Sequence, residues 1–248
     1  MDFKLRYQGS ALGYLWSFLK PLMLFAILYI IFSKYLKFGA GRPFASISLL
    51  LGIVILNFFS EATSRSVTSI VERGDLIRKI KIPRYLIVLA TVSSAGINFL
   101  LSLVVVALFI AFSGVSIGPQ ILFVPLLLLE LLIAILAVSF FLSAVFVKFR
   151  DIHYIWEVFL QLGFYATPII YPLEFIPSAN AQKLIMINPI AQIVQGLKAS
   201  AIYKGNLTQT DITSNPLLIA MPFLLIAFAS VVAVFYFKNQ SKSFAENV

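Results

Sequence analysis

One acid stands inside an unbroken apolar run: Glu130, within "LLLLELLIAIL". A carboxylate at membrane depth is expensive unless it is paired or hydrated. Glu130 could therefore line a pathway, pair across a dimer, or relay protons; near the outer end of its helix it would simply meet headgroup water. Glu61 sits close to the end of another apolar run and raises the same question. Other chemistry is scarce. With no cysteine and His153 as the single histidine, thiolate chemistry and histidine-clustered metal sites are excluded. No G-x-x-x-x-G-K-[ST] run occurs, so the chain has no phosphate-cradling loop for ATP. No serine–histidine–carboxylate set can be built around one loop histidine. We assign no catalytic residue, no metal ligand and no cofactor to this chain.

These residues sit in a chain made for a bilayer. Of 248 residues, 60% are hydrophobic and 12% charged, too few polar groups to cover a water-facing surface. A spanning helix needs about 20 apolar residues. Six runs qualify: 21–35 (joined by 16–20), 44–62, 85–112, 121–147, 155–170 and 216–237. The pattern predicts an all-α integral membrane protein with six transmembrane helices in one domain, residues 1–248. Residues 1–20 are charged and aromatic, without the apolar centre of a cleavable signal, so the first span is expected to direct its own insertion.

Orientation follows from Lys and Arg in the connections. Arg65, Arg73, Arg78, Lys79, Lys81, Arg84, Lys148, Arg150, Lys4, Arg6, Lys238 and Lys242 fall on one side. Lys34, Lys37, Arg42, Lys183, Lys198 and Lys204 fall on the other, twelve against six. Both termini are thus expected to be cytoplasmic. The net charge of +9 then reads as membrane topology and contact with anionic lipids rather than nucleic-acid binding.

Three segments outside the spans carry patterns of their own. Over residues 1–20, Leu5, Leu12, Trp16 and Leu19 share one helical face, with Arg6, Ser10, Gly13 and Ser17 opposite. This predicts an amphipathic interfacial helix or, equally on the residues alone, a basic flank with an aromatic anchor. Over residues 64–83, Val67, Ile70, Val71 and Ile77 share a face, and Glu72, Arg73, Asp75 and Lys79 largely take the other. An apolar face on a cytoplasmic loop suggests a contact surface. Gly74 divides the segment, Asp75 can cap a second short helix, and Pro83 ends it. The third segment begins "FYATPIIYPLEFIP", where Pro168, Pro172 and Pro177 interrupt an apolar stretch. Proline removes a donor and breaks a helix. Broken backbone at membrane depth survives only inside protein or beside water. Thr167 to Ala201 is therefore expected to form short re-entrant helices, turned again at Asn188 and Pro189.

Five motifs, in order along nearly the whole chain, resemble ABC-2 type permeases of the polysaccharide-export subfamily, which export O-antigen, capsule or teichoic-acid chains. They are "RYQGSALGYLWSFLKP", "DLIRKIKIPRYLIVLA", "FRDI", "TPIIYP" and "NPIAQIVQGLK". Family members usually carry more residues before the RY element, so this chain begins inside that region.

The resemblance implies a role for each segment. Arg6, Tyr7, Ser10, Gly13 and Trp16 would belong to the interfacial helix. Glu72, Arg73, Asp75, Leu76, Ile77 and Lys79 would belong to a coupling helix docked on an ATPase, with Arg150 and Asp151 as a second contact. Thr167, Pro168, Tyr171, Pro172, Asn188 and Pro189 would form a periplasmic gate. Aromatic faces stack on sugars, which makes Tyr29, Phe32, Phe59, Tyr165 and Tyr171, placed toward the outer half, candidates for the pathway alongside Glu130. Implied too are a homodimer in the bacterial inner membrane, two separate ATPase subunits holding ATP and magnesium, and a lipid-linked polysaccharide as cargo. Three rivals stand beside this reading. They are an ABC-2 exporter of drugs or small lipids, a proton-coupled transporter using Glu130, and a membrane enzyme acting on lipid-linked sugar through Glu130 or Glu174. No internal repeat supports the inverted-repeat transporter architecture.

Overall fold

The computed structural model describes residues 44–79, 83–202, 206–241 and Phe244, with isolated positions between 19 and 35. The interfacial residues Arg6, Tyr7, Ser10, Gly13 and Trp16, the pathway candidates Tyr29 and Phe32, and most of the first expected span lie outside the described residues. So do the side chains of Leu76 and Ile77. Among the described residues every regular element is helical. In chain order these are α1 (Ala45–Thr68), α2 (Gly74–Lys79), α3 (Tyr85–Phe112), α4 (Val124–Lys148) and α5 (Ile152–Ala166). Then follow α6 (Ala179–Ile187), α7 (Pro189–Ala201), α8 (Gln209–Ile212) and α9 (Pro216–Gln240).

Four of these are long and apolar enough to cross a membrane: α1, α3, α9, and α4 together with the 3₁₀ turn Pro119–Phe123 that leads into it. α5, at 15 residues, falls short of the length a span requires. The boundaries have local causes. Gly114, at φ 70, supplies the left-handed residue that lets the chain leave the end of α3. Pro189 and Pro216 each stand in a first turn, where a missing N–H costs nothing, behind Asn188 and Asn215 as caps. Asn188 Oδ1 accepts from the Ile190 amide at 3.0 Å, and Asn215 Oδ1 from Leu217 at 3.0 Å.

α1 is the central helix. It packs on α3 and α4 and also touches α5 and α7, and Leu50, Ile53, Ile55, Ala62 and Val67 along it are almost wholly buried. It also runs further than its composition predicts. A loop was expected from residue 64, but the helix continues to Thr68. The polar residues of this last stretch satisfy themselves on the backbone. Thr63 Oγ1 donates to Phe59 O at 2.7 Å and Ser66 Oγ to Ala62 O at 2.7 Å. Such back-bonding lets a hydroxyl remain inside a helix at membrane depth.

Candidate gate and coupling site

The proline stretch is a break wired by side chains. α5 stops at Ala166, and Thr167, Pro168 and Ile169 are buried in a non-helical segment. A helix that ends leaves its last carbonyls without partners, and in a bilayer no solvent supplies them. Here side chains from nearby elements do so. Tyr171 Oη donates to Tyr165 O at 2.9 Å. Lys198 Nζ, on α7, donates to Pro168 O at 2.8 Å and to Ile169 O at 3.4 Å, and Gln195 Nε2 reaches Pro168 O at 3.4 Å. Gln182 Nε2, on α6, donates to Ile176 O at 2.8 Å. Burial pushes the Tyr171 phenol up from its ordinary pKa, so it stays protonated as that donor. The short helices expected after the break are present as α6 and α7.

Lys198 requires a correction. Counted above as an external loop charge, it is instead 4% exposed within the protein. Glycine makes room for it. A Cβ on Gly52 of α1 would lie 3.0 Å from Ile169 Cγ2 and 3.2 Å from Lys198 Cε. Helix α1, the break and α7 therefore meet at one point.

Glu130 is buried on α4, with Gln192 of α7 as its side-chain hydrogen-bond partner. One oxygen of each, Glu130 Oε1 and Gln192 Oε1, has no partner among the described residues. The acid thus joins α4 to α7, one of the two short helices after the break. Gln192, Gln195 and Lys198 follow one another at single turns along α7. Glu61 is settled more simply: its Oε1 accepts from Asn98 Nδ2 of α3 at 3.0 Å and pairs with Arg65 at 3.4 Å.

The pathway candidates divide. Tyr165 is exposed near the end of α5, and Tyr171 is half-buried at the break. Phe59 is not as expected. It lies nearer the Thr68 end of α1 than the outer end, and it is buried against Trp156 of α5 at 6.1 Å. Trp156 Nε1 donates to Thr63 Oγ1 at 3.1 Å, so this corner holds α5 onto α1.

The cytoplasmic segment is corrected in the same way. Val67 and Ile70 are completely buried, and Val67 packs with Leu142 and Phe146 of α4. The apolar face is thus largely covered by the chain itself. What remains exposed at the turn is Glu72, Asp75 and Lys79. Arg73 reaches back to Ile87 O and Thr91 Oγ1 of α3, both at 3.3 Å, and so ties the turn to the next span. Arg84 donates to Ser241 O at the end of α9. Arg150 and Asp151 are exposed between α4 and α5, the Arg150 guanidinium 5.1 Å from the Phe146 ring. His153 faces Glu157 at 3.3 Å.

Known proteins agree with this architecture. The chain is 28% identical over 253 residues to the O-antigen export system permease protein RfbA of Myxococcus xanthus, covering 100% of this chain and 92% of that protein. It is 31% identical over 196 residues to a Klebsiella pneumoniae protein of the same name, covering 78% and 74%. Residues 1–202, which include both the 64–83 segment and the broken segment, match the ABC-2 type transporter family, and the chain belongs to that family.

Proposed function

We propose that this chain is the membrane subunit of an ABC exporter that moves a lipid-linked polysaccharide out across the cytoplasmic membrane of a bacterium. The observation that carries the reading is the full-length alignment with a relative named as an O-antigen export permease. The chain has no phosphate-binding loop of its own, so ATP and magnesium belong to a separate ATPase subunit, two copies of which would serve a homodimer of this chain. Six spans, a single domain and both termini in the cytoplasm complete the proposal, with residues 1–20 as the interfacial helix. The turn at 64–83, with Arg150 and Asp151, receives the ATPase. Thr167 to Ala201 closes the outer end of the path, and Glu130 and Tyr171 border it.

The mechanism is mechanical. ATP binding draws the two ATPase subunits together and displaces the turn bearing Glu72, Asp75 and Lys79. α1 and α3 start and end at that turn and are stiff, so they move as levers. The wired break at Pro168 is the part able to rearrange without unwinding a helix. No bond in the cargo is made or broken here.

The test is co-purification with the ATPase, ATP hydrolysis, and polysaccharide at the cell surface. Deleting the chain should abolish surface polymer. Leu76→Asp and Ile77→Asp should leave the spans folded while uncoupling hydrolysis from export. Export that persists without any ATPase sinks the proposal.

A further inference from the structure

The proposed gate is a break in the backbone, and something must hold it shut in the resting protein. The candidates are few. Pro168 has no N–H, and the main-chain bond across it, from Ile169 N to Thr167 O at 2.7 Å, leaves the Pro168 and Ile169 carbonyls to be met by side chains. Tyr171 and Gln182 bind its two ends, at Tyr165 O and Ile176 O. Among the described residues the Pro168 and Ile169 carbonyls are met by Lys198 and Gln195, and only Lys198 reaches both. Its ammonium is buried with them, and its stem lies against α1 where Gly52 has no side chain.

We infer that Lys198 is the positioning residue of the outer gate, a side-chain clamp that pins the Pro168–Ile169 carbonyls to α7 and seats the break against α1 at Gly52. A lysine suits the task because one ammonium carries three donors and can serve two carbonyls at once. Gly52 gives the clamp its link to the driving end. It lies on the same unbroken helix that reaches the coupling turn, so a displacement of α1 moves the wall on which Lys198 and Ile169 rest. The inference depends on the gate reading for its function, but the clamp itself is a contact that can be tested separately.

The chain lacks cysteine, so one can be introduced without background. Thr167→Cys places it in the break at a position only 1% exposed. The probe is a membrane-impermeant maleimide added from outside to proteoliposomes holding the permease and its ATPase. In the resting state the parent should label slowly. Lys198→Met keeps the stem and removes the donors, and should label about tenfold faster, the shift expected when buried carbonyls are left without their donor. Lys198→Gln places a neutral donor one bond short of Nζ and should fall between them, several-fold above the parent. A packing role for the stem would leave Lys198→Met at the parent rate, and that result overturns the clamp. If Lys198→Met does not accumulate, Lys198→Gln decides, and labelling at the parent rate again overturns it. Equal labelling of the parent with and without ATP turnover would refute the gate reading while leaving the clamp to the Lys198 variants.

Discussion

Gly52→Ala sets two effects against each other at the junction of α1, the break and α7. Within a helix, replacing glycine by alanine gains about 0.5–1 kcal/mol, because the unfolded chain loses freedom. At Gly52 the new methyl meets Ile169 Cγ2 at 3.0 Å and Lys198 Cε at 3.2 Å, and overpacking of a tight site costs about 1–3 kcal/mol. Neither neighbour yields easily. Ile169 is β-branched and set in a buried break, and Lys198 is fixed by its bonds to Pro168 and Ile169. The cost should exceed the gain, leaving a net loss of about 1 kcal/mol.

Gly96→Ala is the matched control. It lies inside α3, and an added methyl there meets nothing within 4 Å among the described residues. For a chain of this size, 1 kcal/mol moves the unfolding midpoint by about 2–4 °C. In detergent, Gly96→Ala should raise the midpoint by about that much or slightly less, and Gly52→Ala should lower it by a similar amount. Surface polysaccharide should fall with Gly52→Ala and stay level with Gly96→Ala. If both variants gain stability equally, the junction gives way freely, and α1 does not press on the break as described.

Other outcomes follow from named contacts. Val67→Asp and Ile70→Asp place a charge where each residue is fully buried, so membrane-inserted protein should be lost on immunoblots. Charge reversal at exposed Glu72, Asp75 and Lys79 should spare protein level and reduce ATPase stimulation. Thr63→Val strands the Trp156 Nε1 donor and should cost about 1–3 kcal/mol in chemical unfolding, against roughly 1 kcal/mol for a typical made hydrogen bond. The Thr208–Asp211 box holds the Asp211 carboxyl below its ordinary pKa through hydrogen bonds from Thr208. Its contribution is therefore complete above about pH 4. It is lost as pH falls through the lowered value, which amide exchange in α8 can follow.

Four of the six expected spans and the break at the prolines were legible in the sequence, because apolar length and proline act locally. The depth of individual side chains was not. Lys198 lay in a segment too polar to span, so a flanking charge was the natural reading. The visible hint was Gln192, Gln195 and Lys198 at successive turns of an otherwise apolar helix, opposite a break rich in unpaired carbonyls. Val67 and Ile70 made an apolar face, but periodicity cannot say whether a face meets a partner or its own chain. Here Leu142 and Phe146 of α4 lie against Val67. Phe59 was misplaced on the sequence itself, since even within the expected run 44–62 it stands three residues from the end that leads to the 64–83 segment.

These corrections bear on how a push at one end is felt at the other. From Gly52 to Thr68, α1 spans 16 residue steps, about 24 Å at 1.5 Å per residue. Its inner end is bound to α4 through Val67 and to α5 through Thr63 and Trp156. Glu61 and Asn98 bind it to α3. Because Val67 and Ile70 are used inside the chain, under the proposed mechanism the turn would engage its partner through its charged edge, and the force would pass into a packed corner rather than a loose loop. A helix held on three sides cannot bend cheaply, so displacement is carried along it. It emerges at Gly52, where the neighbours are a non-helical segment and a lysine held by hydrogen bonds. Such bonds exchange partners at far less cost than a helix unwinds, so under the proposed mechanism the wired break is where motion of the rod would become an opening.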